Sequence, residues 1–230
     1  MNRDLAIVIP VYNEQDCIGT VLSEWFDVLG KLGIKYQIIA LNDGSKDGTA
    51  KVLDDIKNPN LRAIHKANSG HGPTILTGYK MAVAEADWVF QCDSDGEMPP
   101  ANFPLFWEKR NEYDALFGLR FNRLQTGSRA FISFISRTVI HSLYGSKVRD
   151  VNTPYRLMRG NILAEIITKI PEDTFAPNLI ISGAFSKRGC RIFQSQVPHE
   201  PRKTGSVSIV KWRLVKAAFR SFIQTLKYRQ

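Results

Sequence analysis

No stretch of this 230-residue sequence stays apolar for the roughly 18 residues that a membrane span requires. The N-terminus shows no signal-peptide pattern, so the expectation is a cytoplasmic chain. Cysteine is scarce: Cys17, Cys92 and Cys190 are odd in number, far apart and in no metal-ligand spacing. That excludes a disulfide scaffold and a thiolate metal centre, and suits reduced thiols. Acidic residues are missing altogether after Glu200, where eight Lys and Arg residues follow, from Arg202 to Arg229. Those eight supply most of the formal charge of +9. A basic end of this kind favours a polyanion, whether nucleic acid, an anionic membrane face or a phosphorylated ligand.

What is present alternates. Leu5–Pro10 reads as a fully buried strand, since its side chains are apolar on both faces. Ile18, Val21, Leu22, Trp25, Val28, Leu29 and Leu32 share one face of a helix over about 15–32. A strand over Tyr36–Leu41, a turn at 42–45, a helix over Lys46–Ile56 and a strand over Leu61–Ile64 follow. Then come a glycine-rich turn at 69–72, a helix to Glu85 and the strand Trp88–Cys92. Such alternation predicts an α/β fold, a Rossmann-like, mostly parallel sheet flanked by helices. Further on, Ala115–Leu119 and Cys190–Val197 read as strands, and 130–143, 161–170 and 177–186 as helices; Tyr155–Met158 is ambiguous. One domain over 1–207 and a C-terminal helix over 208–230 are expected.

In open α/β sheets ligands gather at the carboxyl ends of the strands. The polar loops Tyr12-Asn13-Glu14, Asn42-Asp43-Gly44 and Asp93-Ser94-Asp95 should therefore meet on one edge. Asp93, Asp95 and Glu97 follow the apolar Trp88-Val89-Phe90. Carboxylates two residues apart on extended chain share a side, and such hard oxygens suit Mg²⁺ or Mn²⁺. The plainer alternative is a solvated turn. Asp43-x-Ser45-x-Asp47-Gly48 mimics half a calcium loop, but a strand precedes it and Asp54 stands where a bidentate Glu is needed, so that reading is rejected. Asp43 and Ser45 can also shape the turn and cap the next helix. Ser69-Gly-His-Gly72 is neither a dinucleotide fingerprint nor a P-loop; it is a turn that could offer N–H groups to a phosphate. Arginines at 120, 123, 129 and 137 can form a solvated face, but Arg129 and Ser133 lie four apart on a predicted helix and suit a phosphate clamp.

These pieces resemble family 2 inverting glycosyltransferases, in the polyprenyl- or dolichyl-phosphate sugar transferase branch. The resemblance rests on Ile9-Pro-Val-Tyr-Asn-Glu14, Asn42-Asp-Gly-Ser-Lys-Asp-Gly-Thr49 and Asp93-Ser-Asp-Gly-Glu97, then Gly118-Leu-Arg120, Asp150-Val-Asn-Thr-Pro-Tyr-Arg156 and Arg202-Lys-Thr-Gly-Ser206. It implies a glycosyltransferase A-type fold, a UDP- or GDP-sugar donor, a polyprenyl phosphate acceptor and Mg²⁺ or Mn²⁺. On this likeness Pro10, Tyr12, Glu14, Asp43 and Asp93 face the nucleotide, and Asp93, Asp95 and Glu97 seat the metal. Arg120, Arg129 and Ser133 hold the acceptor phosphate, Arg202 contacts the donor diphosphate, and Asp95, Arg120, Asp150 and Arg202 form the catalytic set. Two positions depart from the branch: Glu97 stands where Gln is frequent, and His71 where Lys is common.

An anionic phosphate acceptor needs no strong base, whereas a glycan or protein hydroxyl does, and Asp150 is then the candidate. Its alternative role is an ion pair with Arg149 or Arg156. Trp212, Val215, Phe219, Phe222, Ile223 and Leu226 recur at helical spacing among basic residues, the pattern of an interfacial membrane helix. The same face could dock on the domain or on a second subunit. A peripheral protein on the inner membrane face, alone or with a membrane-protein or homo-oligomeric partner, is expected. Nucleic acid is not, since the chain lacks a basic–aromatic recognition module and its acidic triplet would repel phosphates. A non-catalytic membrane adaptor is a further class, suggested by Glu97 and His71.

Overall fold

Strand β1 (Arg3–Val11) is buried from Leu5 onward. Leu5, Ile7, Ile9 and Val11 point into one hydrophobic cluster, and Ala6 and Val8 into another. Alternation of side chains along a strand requires this split once both faces of the sheet are covered. A computed structural model describes residues 3–120 and 148–200 of the chain. The helix expected over 130–143, Arg129, Ser133, Arg202 and the basic C-terminal segment lie outside the described residues.

Among the described residues seven strands form one sheet in the order β3-β2-β1-β4-β6-β5-β7, with β2 at Tyr36–Asp43, β3 at Leu61–Lys66, β4 at Ala86–Gln91, β5 at Ala115–Arg120, β6 at Arg156–Arg159 and β7 at Ile192–Val197. All neighbours run parallel except β6, which is antiparallel to both β4 and β5. One face carries α3 (His71–Glu85), α5 (Gly160–Ile167) and α6 (Pro177–Lys187); the other carries α1 (Ile18–Leu32) and α4 (Phe103–Lys109). The short helix α2 (Thr49–Asp55) follows β2. A helix over 103–109 was not expected from the sequence: it has seven residues, with Pro near its start, too few for helical spacing to register. The ambiguous 155–158 stretch is the reversed strand β6.

This topology places the site. A strand antiparallel to both neighbours leaves β4 and β5 parallel to each other, so their carboxyl ends share an edge. Arg156, the first residue of β6, pairs with Gln91 and Phe117, so the segment before β6 enters from that edge. Val197, the end of β7, pairs with Arg120 and leaves at the same place. The loops after β1, β2, β4, β5 and β7 and the loop before β6 therefore crowd one side of the sheet.

Asp43, at the end of β2, ties three of these pieces together. Its Oδ1 accepts from the Lys66 ammonium and from the Ser69 N–H (2.8 Å), and its Oδ2 from the Gly70 N–H (2.8 Å). The N–H groups of the glycine turn at Ser69 and Gly70 are thus spent on Asp43, not presented to a phosphate. Close packing holds the turn in place: a Cβ on Gly72 would stand 2.2 Å from the Thr174 carbonyl oxygen.

Burial alone would push the Asp43 carboxyl up; Lys66, the two N–H groups and Thr74 outweigh it and hold it below its ordinary value of 3.8. A value lower in the folded than in the unfolded chain means stability that is complete above the ordinary carboxylate range. That stability is lost as the pH falls through the lowered one. Lys66→Met should cost about 2 kcal/mol at pH 7, the worth of a charge-assisted hydrogen bond. Its gap from the wild type should narrow as the pH falls through the lowered Asp43 value. Urea unfolding at pH 7 and at stepwise lower pH checks this.

Candidate active site

The loops after β1 and β2 are laced together by side chains. The Asn13 N–H donates to Ser45 Oγ (2.9 Å), the Lys46 N–H to Asn13 Oδ1 (2.8 Å) and the Glu14 N–H to Thr49 Oγ1 (2.8 Å). Asn13 adopts a left-handed conformation, φ 55°, which Asn tolerates better than most residues. These bonds use up residues 45–48, so α2 starts at Thr49 rather than at Lys46. Ser45 does not cap it; the Thr49 N–H donates to Asp47 Oδ1 (3.0 Å) instead. Pro10 and Glu14 are buried and Tyr12 half-buried in this wall. Cys17 Sγ donates to Glu14 Oε2 (3.1 Å) and approaches the Ser94 carbonyl (3.4 Å), joining the first loop to the acidic turn.

Asp93, Asp95 and Glu97 lie on that turn, after β4. Asp93 Oδ1 accepts from Gln91 Nε2 (3.1 Å) and stands 3.8 Å from His71 Nε2; Asp95 Oδ1 accepts from the Glu97 N–H (3.1 Å). The Asp93 carboxyl is raised to about 6: burial is the largest cause, Asp95 and Glu97 add to it, and His71 and Arg120 pull against it. Its side chain keeps 32% of its surface exposed, so it is ringed by protein rather than sealed in. Glu97 also ties the acidic turn to the segment after β7: its Oε2 is 3.0 Å from His199 Nε2, and its carbonyl accepts from the Glu200 N–H (2.8 Å). Among the described residues no three Asp, Glu, His or Cys side chains converge closely enough to hold a metal ion. Asp93 and Asp95 nevertheless match a hard divalent cation in donor chemistry and in the like-charge crowding a cation would relieve.

At the end of β5, Arg120 donates bidentately to Asp150, Nε to Oδ2 (2.7 Å) and Nη2 to Oδ1 (2.8 Å), with the Arg120 side chain only 11% exposed. Neither Arg149 nor Arg156 is the Asp150 fork partner that the sequence suggested. Arg156 is fully buried, donates to the carbonyls of Val151, Thr153 and Asn178, and lies 5.1 Å over the Phe117 ring. Pro154 and Tyr155 let the chain turn into β6 beside Gly118, where a Cβ would meet Tyr155 Cβ at 2.9 Å.

Sequence reading did not reach the polar chain behind Asp93. Gln91, Tyr79 and Asn178 are buried within an otherwise apolar core. Their common feature, polarity at core-facing positions of β4, α3 and α6, shows only once those elements are assembled. His199 was likewise missed, because its partner Glu97 is 102 positions away in sequence.

A model of the family described as "Glycosyl transferase family 2" matches residues 6–166. The undecaprenyl-phosphate 4-deoxy-4-formamido-L-arabinose transferase of Klebsiella pneumoniae (strain 342) is 27% identical over 222 residues, covering 94% of this chain and 66% of the relative. The protein of that name from Pseudomonas fluorescens (strain Pf0-1) is 26% identical, covering 94% and 63%. This chain therefore spans a little under two thirds of their length. Among solved structures, glucosyl-3-phosphoglycerate synthase of Mycobacterium tuberculosis, in complex with Mn²⁺, uridine diphosphate and phosphoglyceric acid, superposes with a TM-score of 0.72 at 15% identity. That superposition covers 99% of this chain and 78% of the synthase, and the shared fold is the glycosyltransferase A type expected from the sequence. The family match covers well over half of the residues, and the chain belongs to glycosyl transferase family 2.

Proposed function

We propose that this protein transfers a sugar, with inversion, from a nucleotide-sugar to a polyprenyl phosphate, using Mg²⁺ or Mn²⁺. The observation that carries the reading is the likeness, over 94% of the chain, to relatives named as undecaprenyl-phosphate sugar transferases. In support, the acidic turn after β4 and the guanidinium of Arg120 stand on one sheet edge, beside the loops after β1 and β2. The nucleotide lies against Pro10, Tyr12, Glu14 and the Asp43 clasp, with Asp93 near its ribose and the metal. Asp93 and Asp95 hold the cation, which when bound neutralises charge on the leaving diphosphate. Glu97 serves mainly to tether residues 199–200, and Arg202 contacts the donor diphosphate. Arg120, Arg129 and Ser133 receive the acceptor phosphate.

A phosphate oxygen is anionic at neutral pH, so attack on the anomeric carbon needs no proton removed by the protein. Asp150 fits that chemistry: both its oxygens accept from Arg120, so it orients the guanidinium instead of serving as a base. Transfer to a glycan or protein hydroxyl would need a base, and this pairing weighs against it. No described helix is long and apolar enough to cross a membrane. The basic segment 208–230 would hold the enzyme peripherally on the cytoplasmic face, in reach of a lipid-linked acceptor; a membrane-protein partner or a second subunit could share that role.

Purified protein given Mn²⁺ or Mg²⁺, a panel of UDP- and GDP-sugars and undecaprenyl phosphate should form a lipid-extractable glycolipid from one donor and lose that activity in EDTA. Failure with every donor sinks the acceptor assignment. Asp150→Asn should reduce kcat/KM about tenfold, the worth of one charge-assisted hydrogen bond. Loss of a general base would cost about 10²–10⁴-fold, and steady-state kinetics with the two variants of the acceptor, phosphate and hydroxyl, separates the roles.

A further inference from the structure

Three polar side chains sit where apolar ones would pack more cheaply. Gln91 is 0% exposed, Tyr79 0% and Asn178 4%, all on the α3–α6 side of the sheet. Burying amides and a hydroxyl is costly unless each finds a partner, so such groups stay in a core only as a satisfied network. Here the network has one direction. The Tyr79 hydroxyl donates to Asn178 Oδ1 (3.0 Å), Asn178 Nδ2 donates to Gln91 Oε1 (2.9 Å), and Gln91 Nε2 donates to Asp93 Oδ1 (3.1 Å). Tyr79 has a single proton and lies farther from Gln91 Oε1 (3.3 Å) than from Asn178, so the head-to-tail order is favoured. Burial pushes the Tyr79 hydroxyl pKa far up, which keeps it a donor. The chain ends on an acceptor, the Asp93 carboxylate.

The supports of this chain are themselves fixed. Asn178 follows Pro177 in the first turn of α6, and its carbonyl accepts from the buried Arg156 Nη1 (3.2 Å). Gln91 ends β4 and is paired in register with Arg156 of β6. Tyr79 sits mid-way along α3, whose following turn packs against β1 and β4. Three elements from distant parts of the sequence therefore converge on one oxygen of one carboxylate.

We propose that the Tyr79–Asn178–Gln91 chain is a positioning device for Asp93. It fixes Oδ1 as the acceptor of the Gln91 amide, so that the carboxylate would be held in one orientation for the divalent cation that the proposed function requires. The inference rests on that reading of Asp93. Outer hydrogen bonds to ligating carboxylates set ligand orientation, and their loss typically costs about 10–100-fold in metal affinity. None of the three residues touches substrate in this account; each acts through Asp93.

The test is Mn²⁺ binding, read by electron paramagnetic resonance of free Mn²⁺ in the presence of saturating UDP or GDP, with thermal melting recorded in parallel. Gln91→Met keeps length and volume but removes both amide bonds; Tyr79→Phe removes only the far end of the chain and is the second variant should Gln91→Met fold poorly. The expected result is a Kd for Mn²⁺ weakened about tenfold or more in Gln91→Met and by a smaller factor in Tyr79→Phe, out of proportion to any fall in melting temperature. Melting temperatures that drop while both folded variants bind Mn²⁺ like the wild type would reduce the chain to core packing and overturn the inference. Wild-type protein that binds no Mn²⁺ would instead overturn the metal reading of Asp93, and the inference with it, so the two failures are distinct.

Discussion

Repulsion among Asp93, Asp95 and Glu97 is the constraint around which the rest of the structure is arranged. Strand β4 stands at the centre of the sheet, between the parallel β1 and the reversed β6, and its apolar body leaves the polar residues that follow at its carboxyl end. There burial and two neighbouring carboxylates raise the Asp93 carboxyl. Every nearby element answers that charge: His71 from the start of α3, Arg120 from the end of β5, Gln91 from beneath, and His199 against Glu97. Such partial compensation leaves excess negative charge that the cation of the proposed function would offset.

The reversed strand β6 extends this logic. Had the segment after β5 returned as a parallel strand, residues 148–155 would have opened on the opposite edge. Running antiparallel, β6 brings Asp150 to Arg120 and Arg156 to the floor of the site. The fork between Arg120 and Asp150 then holds a guanidinium rigidly beside the acidic turn, with two bonds in one plane. Positive and negative groups thus stand side by side on one edge, which suits the donor diphosphate and acceptor phosphate of the proposed function.

Much of this was legible in the sequence, for identifiable reasons. Strands β1, β2 and β4 carry apolar runs at Leu5–Pro10, Ile38–Leu41 and Trp88–Phe90, and the 15-residue helices α1 and α3 are long enough for spacing to be read. The strand-end rule then placed Tyr12–Glu14, Asn42–Gly44 and Asp93–Asp95 on one edge without coordinates. Short elements escaped: α4 has seven residues and β6 four, below what periodicity resolves. Partnerships between distant residues escaped for another reason. Asp150 with Arg120, Asp43 with the Ser69–Gly70 turn, Glu97 with His199 and Gln91 with Asn178 depend on which loops the topology brings together. Nothing in their local sequence distinguishes them from solvated polar residues. The glycine turn shows the point best, since its N–H groups looked suited to a phosphate and in fact hold a carboxylate.

The central claim is that the acidic turn seats a cation that in turn holds the nucleotide diphosphate. Calorimetric titration of UDP and GDP into the protein, with Mn²⁺ and then with EDTA, addresses it directly, with Asp93→Asn/Asp95→Asn as the control. The account predicts that one nucleotide binds about tenfold more tightly or better with the metal, a gain of about 1.4 kcal/mol at the least, and that the double variant loses this gain. Equal affinity in Mn²⁺ and EDTA, unchanged by removing the two carboxylates, would contradict it.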